Sequence, residues 1–401
     1  MVIENMSKDG RFIKSSHRFV YFLIRVLSFL YTRIFLGFRS GDRFKIKRNE
    51  PVLVLSNHQT DADPFCILPG FNAPVYPIAT DSIFAGRFRN RLFSYLSVIP
   101  KKKGAMDART VIKMYEYLKK GASVLLFPEG NRSYAEFQYY IAPDLARLIK
   151  RTHATVVIYN IHGGSGISPR FKNKNRRGRF WGEIRTVLTY EQYSQMDDND
   201  LFLLVKDNRR VFDSDSKEKY KSSKRAEFLE RMLFWCPACG RFETLQSSGA
   251  VLQCTACGMR AEYTEDLHLR GPEGYDRLVD WWNHQKAAVR DLSVVPEQPI
   301  FRDDCVKLMQ TDPFGVRKEL DCGELILTDS TLRCGKTEIK TAGITSASIV
   351  SGRNLTFVYE NNDYTLRGGK RFCPVKYIFA LNRIDTAMHK TGADKYFNLE
   401  D

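Results

Sequence analysis

Short apolar runs that end in abrupt polar clusters recur through the first half of the chain. Residues 51–56, 75–79, 123–127, 155–161 and 182–190 are such runs, rich in Val, Ile and Leu. Their length and composition predict strands buried in an α/β sheet. Residues 107–120 return to helical spacing, with Asp107 as N-cap and Gly121 just past the end. In a mostly parallel sheet, chemistry sits beyond the carboxyl ends of the strands. Two runs end in residues suited to it: 51–65 reads PVLVLSNHQTDADPF, and 123–133 reads SVLLFPEGNRS.

Two other regions have a different pattern. Residues 19–38 are almost wholly apolar apart from Arg25 and Arg33. Wound as a helix, Arg18, Tyr21, Arg25, Ser28 and Thr32 fall on one narrow polar stripe. A spanning helix would place two arginines in hydrocarbon at roughly 2.5–3.5 kcal/mol each. A helix lying flat, stripe towards the headgroups, avoids most of that. A core helix is the plainer reading. The interfacial one is preferred because residues 1–50 carry eleven Lys and Arg against four Asp and Glu.

After Pro296 the pattern turns to short alternating runs at 324–327, 331–334, 337–339, 347–350, 354–359 and 362–367, closed by a helix at 375–388. Strands followed by one helix resemble a pleckstrin-homology or GRAM-like small barrel. The expected order is an interfacial region (1–48), the α/β domain (49–205), an exposed charged helical connector (206–235), a metal ribbon (236–263), a helical linker (264–295) and the β domain (296–401).

Charge and cysteines sharpen this picture. A net charge of +16 points to an anionic partner: nucleic acid, a membrane surface or a phosphorylated substrate. Seven basic residues crowd 170–185, interleaved with Phe171, Phe180 and Trp181. Both a solvated face and a membrane- or phosphate-facing lip fit that run. Four of nine cysteines form two CxxC knuckles, Cys236/Cys239 and Cys254/Cys257, fourteen residues apart and each followed by Gly. The spacing fits a structural four-thiolate zinc site, with iron a lesser alternative. Cys305, Cys322, Cys334 and Cys373 lack ligand spacing. Metal-binding thiols and no signal-peptide pattern place the expected location on the cytosolic side.

His58 and Asp63 suit a base and its orienting carboxylate. No GxSxG elbow accompanies them, so the proton is expected to come from a substrate hydroxyl. Pro128, Glu129 and Gly130 force a turn that presents Arg132 and Ser133, groups suited to a phosphate. NHQTDAD at 57–63 and FPEGNRS at 127–133 resemble the NHxxxxD and FPEGxRS motifs of the lysophosphatidic acid and glycerol-3-phosphate acyltransferases, over roughly residues 20–200.

That resemblance implies that His58, supported by Asp63, deprotonates the acceptor hydroxyl for attack on acyl-CoA or an acyl-carrier protein. It also implies that Glu129, Gly130 and Arg132 hold the acceptor's glycerol phosphate. Lys101, Asn57 and Ser133 complete the expected substrate contacts. The chain departs from the pattern in two places. Lys101, Lys102 and Lys103 stand where the family offers Arg, and 156–160 lacks its usual Pro. The expected activity is transfer to a lysophospholipid, 1-acyl-sn-glycerol-3-phosphate above all, at the cytosolic face of the membrane. An inactive lipid-binding adaptor on the same scaffold is the alternative. Nucleic acid is not an expected partner, because the ribbon itself is not basic.

Overall fold

The computed structural model describes residues 15–47, 50–80, 87–101, 108–134, 136, 139–172, 174–312 and 316–389. Asp107, Lys102 and Lys103 lie outside them. The chain begins with α1 (Ser15–Phe35). The α/β unit then runs through β1 (Phe38–Ser40), β2 (Val52–Ser56), α2 (Asp63–Ile67), β3 (Val75–Thr80), α3 (Arg87–Tyr95), β4 (Ile99–Lys101) and α4 (Ala108–Lys119). It continues with β5 (Ser123–Leu126), α5 (Asp144–Thr152), β6 (Thr155–His162), α6 (Gly164–Ile167), β7 (Phe180–Leu188), α7 (Tyr190–Ser194) and α8 (Asp198–Asn208). All five expected strands form, and the two three-residue strands β1 and β4 are additional.

The sheet order is β1-β7-β6-β2-β5-β3-β4. Only the β6–β7 pair is antiparallel. β2 lies between β5 and β6, and every residue of β2 and β5 is buried. Alternation sends Leu53 and Leu55 into a cluster with Met114, Leu145 and Leu201. Val52 and Val54 face the opposite layer, where Ile67, Leu233 and Trp282 pack. The parallel run puts the carboxyl ends of β2, β5, β6, β3 and β4 along one edge.

Three expectations are corrected here. The stripe of α1 faces the protein: Tyr21, Ser28 and Thr32 are buried, and the Tyr21 hydroxyl donates to Leu96 O at 2.7 Å. Small side chains let the stripe pack closely, and Thr32 satisfies its own hydroxyl on Ser28 O. The apolar side is left outward, with Phe19, Phe22, Leu27, Ile34 and Phe35 between 55% and 73% exposed. Of the supposed lip, Phe171 and Phe180 are core residues, so the basic run is not an aromatic membrane surface. Finally, 206–235 is not an exposed helix. Helix ends at Asn208, short 3-10 turns follow, and Arg209, Asp213, Tyr220 and Leu229 are buried.

Beyond this, β8 (Leu245–Ser248), β9 (Val251–Cys254), β10 (Arg260–Tyr263) and β11 (Leu269–Arg270) form an antiparallel sheet, followed by α9 (Leu278–Arg290). α9 buries Trp281 and Trp282 and is part of the core. The last unit holds β12 (Phe301–Thr311), β13 (Arg317–Leu327), β14 (Thr331–Cys334), β15 (Thr337–Lys340), β16 (Ile344–Val350), β17 (Asn354–Tyr359), β18 (Asn362–Arg367) and α10 (Pro374–His389). Its order, β15-β14-β13-β12-β18-β17-β16, leaves β15 and β16 as two edges. The expected barrel is thus an open seven-stranded sheet. The long strand β12, between β13 and β18, was not visible as an alternating run.

Candidate active site

The turn after β2 is built around Asp63. It opens α2, with Pro64 next to it at a position where a missing backbone N–H costs nothing. Its fully buried carboxylate accepts from Gln59 N at 2.7 Å, Thr60 N at 2.9 Å and the Thr60 hydroxyl. The same Oδ2 lies 2.8 Å from His58 Nδ1. A carboxylate holding only acceptor sites makes Nδ1 the protonated nitrogen, which leaves the Nε2 lone pair to receive a proton. The imidazole stacks on Phe127 at 4.3 Å, so its plane is set from the second turn.

That second turn follows β5. Gly130 N donates to Phe127 O at 3.0 Å, and Gly130 has a φ of +68°. A Cβ there would sit 2.9 Å from Lys101 Nζ, so the glycine also lets the lysine at the end of β4 approach. Two hydrogen bonds stitch the turns together: the backbone Ser133 N donates to His58 O at 2.7 Å, and the Arg132 side chain donates from Nε to Gln59 O at 2.5 Å. The expected site residues of both motifs are therefore brought to one edge.

Several have duties other than those expected. Both ends of the Asn57 carboxamide bond the Ile161 backbone, each at 2.8 Å, tying β2 to β6. Its expected substrate contact gives way to this clamp. The Glu129 carboxylate turns inward. It pairs with Arg209, whose side chain is wholly buried, and accepts from Tyr139 N at 3.3 Å. Burial raises the Glu129 pKa and Arg209 pulls it back. Glu129 is thereby a structural anchor of the turn and not a phosphate contact. Arg132 donates to Gln59 O, to Asp61 at 3.0 Å, and to Ser168 O and Oγ. Of these acceptors Asp61 is the most open to solvent, its side chain 88% exposed.

Sequence reasoning missed Thr60, Ser168 and Arg209. Thr60, three residues before Asp63, had a visible signal, since a hydroxyl at that spacing can bond the carboxylate. Arg209 had none, standing in a charged run eighty positions from Glu129.

The four cysteines of the two knuckles come together as expected, their sulfurs all within 4.8 Å of one another. Cys236 and Cys257 are 3.7 Å apart at sulfur, Cys239 and Cys254 3.8 Å. Four ligands at about 2.3 Å on a tetrahedron are separated by about 3.8 Å, so the donor set fits zinc. Gly240 and Gly258, both at positive φ, return N–H bonds to Cys236 O and Cys254 O. All four donors are thiols, so such an ion has a closed shell.

None of the curated proteins compared matches the chain. Among solved structures it is similar to the 1-acyl-sn-glycerophosphate (LPA) acyltransferase PlsC from Thermotoga maritima. Identity is 19% over 53% of this chain and 88% of that one, with a TM-score of 0.44. At that score the fold reading rests on the sheet order and not on the likeness. The acyltransferase family model matches residues 39–161. His58, Asp63, Glu129 and Arg132 all lie within that matched stretch.

Proposed function

We propose that the chain moves a fatty acyl group from acyl-CoA or an acyl-carrier protein to the free hydroxyl of a lysophospholipid, with 1-acyl-sn-glycerol-3-phosphate as acceptor and phosphatidic acid as product. The carrying observation is the His58–Asp63 dyad, 2.8 Å long and set by hydrogen bonds at the carboxyl edge of the sheet. His58 Nε2 takes the hydroxyl proton as the oxygen attacks the thioester carbon. The C–S bond then breaks, and the departing thiolate receives that proton from the imidazolium. The Asp63 carboxylate, hydrogen-bonded to Nδ1, stabilises the charged ring. Arg132, with Lys101 beside Gly130, holds the acceptor's phosphate, and exposed Asp61 is the acceptor that phosphate displaces at Arg132.

Among the described residues no helix is long and apolar enough to cross a membrane. The outward apolar side of α1 and the net charge of +16 support contact with an anionic bilayer from one side, and the cluster of metal-suited thiols favours its cytosolic face. Zinc held by Cys236, Cys239, Cys254 and Cys257 is structural in this reading.

The test offers purified protein a labelled acyl thioester with a panel of lysophospholipids, glycerol 3-phosphate and simple alcohols. His58→Ala should lower turnover about 10²–10⁴-fold in a protein that remains folded. Near-normal turnover in that variant would refute the base. Lipid binding without product from any acceptor would leave the adaptor reading.

A further inference from the structure

A cavity of about 580 Å³ lies between α1 and the turn that follows β2. That volume is in the range of small-molecule sites. Its wall has two characters. Ile24, Leu27, Phe65 and Phe180 are apolar, and Asp61, Ser168, Lys172 and Asn175 are polar. The polar residues form one cluster. Asp61 and Ser168 both accept from Arg132, and the Lys172 ammonium donates to Asn175. Leu27 is 64% exposed and Phe65 44%, so the cavity opens on the outward apolar side of α1.

Charge in this cluster is unbalanced. After burial, Arg132 weighs most on Lys172, Asp61 opposes it and Arg176 adds to it. Lys172 is therefore bordered by two guanidinium groups and one carboxylate, and that carboxylate is largely exposed. Burial and this repulsion push the Lys172 amine down to about 8. A second anion would relieve the imbalance, and the apolar wall beside it suits an alkyl chain.

We propose that Lys172 binds, together with Arg132, the phosphate headgroup of a single-chain lipid whose chain lies along α1, and so selects the acceptor of the reaction. This rests on the acyltransferase reading and deepens it: the acceptor carries both a phosphomonoester and a long chain. Thr60 connects the two places, since it lines the cavity and bonds the carboxylate that orients His58. The phosphate is dianionic near neutral pH, its second pKa being about 6. An ammonium and a guanidinium complement it where a zwitterionic headgroup would leave one of them unpaired.

The test uses the full chain and dodecyl phosphate below its micellar concentration, followed by titration calorimetry. Dodecanol, glycerol 3-phosphate and inorganic phosphate are the controls. Dodecyl phosphate should bind more tightly than all three. Lys172→Gln should weaken it about ten- to a hundredfold, the range of a charge-assisted hydrogen bond. Lys172→Arg should retain most of the affinity, and Leu27→Trp should weaken dodecyl phosphate while sparing inorganic phosphate. In turnover, Lys172→Gln should raise the KM for lysophosphatidate and leave that for the thioester unchanged.

Equal binding of inorganic and dodecyl phosphate would overturn the chain-binding half. A folded Lys172→Gln with wild-type affinity and acceptor KM would overturn the assignment while the acyltransferase reading stood. Lysine-dependent binding in a protein that transfers no acyl group would support the site and refute the reaction.

Discussion

Replacing Arg209 by Met tests whether the site is held from behind. Arg209 and Glu129 form an ion pair with side chains 0% and 3% exposed. Removing one member of such a pair leaves an uncompensated buried charge, at about 3–5 kcal/mol. That is a large part of the roughly 5–15 kcal/mol a folded domain possesses. Once alone, Glu129 would keep, among the described residues, the Tyr139 N–H at 3.3 Å as its hydrogen-bond donor.

The penalty should depend on pH in a defined direction. Burial already raises the Glu129 pKa above its ordinary 4.5. A carboxyl raised in the folded state contributes its full stability below the unfolded value and loses it as pH rises through the folded one. Without Arg209 that folded value climbs further, so the deficit of Arg209→Met should widen from about pH 5 to about pH 7.5. Urea unfolding at both pH values measures it. Adding Glu129→Gln removes the stranded charge, so the double variant should recover at least about half the loss. A single variant within about 1 kcal/mol of wild type at neutral pH, or a double variant no better than the single, would refute a stabilising pair.

Other perturbations follow from the same geometry. Chelating zinc, or Cys239→Ser, should abolish metal content and lower the thermal midpoint; a metal-free protein with an unchanged midpoint would remove the ion's structural role. Charging the outward side of α1 with Phe22→Glu, Leu27→Glu and Ile34→Glu should abolish sedimentation with anionic liposomes and spare the fold, since these side chains are 55–68% exposed. Undiminished sedimentation would move the membrane contact elsewhere. Burial and the nearby Asp213 raise the Glu136 carboxyl to about 8, and burial raises Asp213 to about 6. Their stabilising contribution is complete only below the ordinary values of 3.8 and 4.5 and is lost by about pH 8, so the thermal midpoint should fall from about pH 4 to about pH 8. Glu136→Gln should flatten the decline, and an equally steep profile in that variant would contradict it.

How legible the molecule is from its sequence depends on what holds each part. Buried strands such as Val52–Ser56 announce themselves because both faces need apolar side chains. The knuckles are legible because ligation demands fixed spacing and glycines at positive φ. Orientation was not legible. The stripe of α1 could be drawn from its period, but which side meets the protein depends on Tyr76 and Leu96, partners far along the chain. The same holds for Glu129. A glutamate beside an arginine in a turn suggests a pair of substrate ligands, yet its carboxylate meets Arg209 in the interior. Charged runs are the hardest case, since a buried arginine and a solvated one look alike until the partner is known.

That partner lies outside the stretch matched to the acyltransferase family, and so do others that bear on the turns. Ser168 accepts from Arg132. Arg170 Nη1 donates to Arg132 O and its Nη2 to Ile349 O, both at 2.7 Å, so one guanidinium joins the turn after β5 to β16 of the last sheet. Arg231 donates to Phe171 O and to Lys370 O, a second crossing of the same boundary. One buried cluster runs without interruption from Val54 through Trp282 to Leu366. The later units are therefore not appendages that leave the site unchanged when removed. A chain ending at residue 205 would strand Glu129 and expose the inner face of the sheet, so the turns that hold His58 and Arg132 need the whole core.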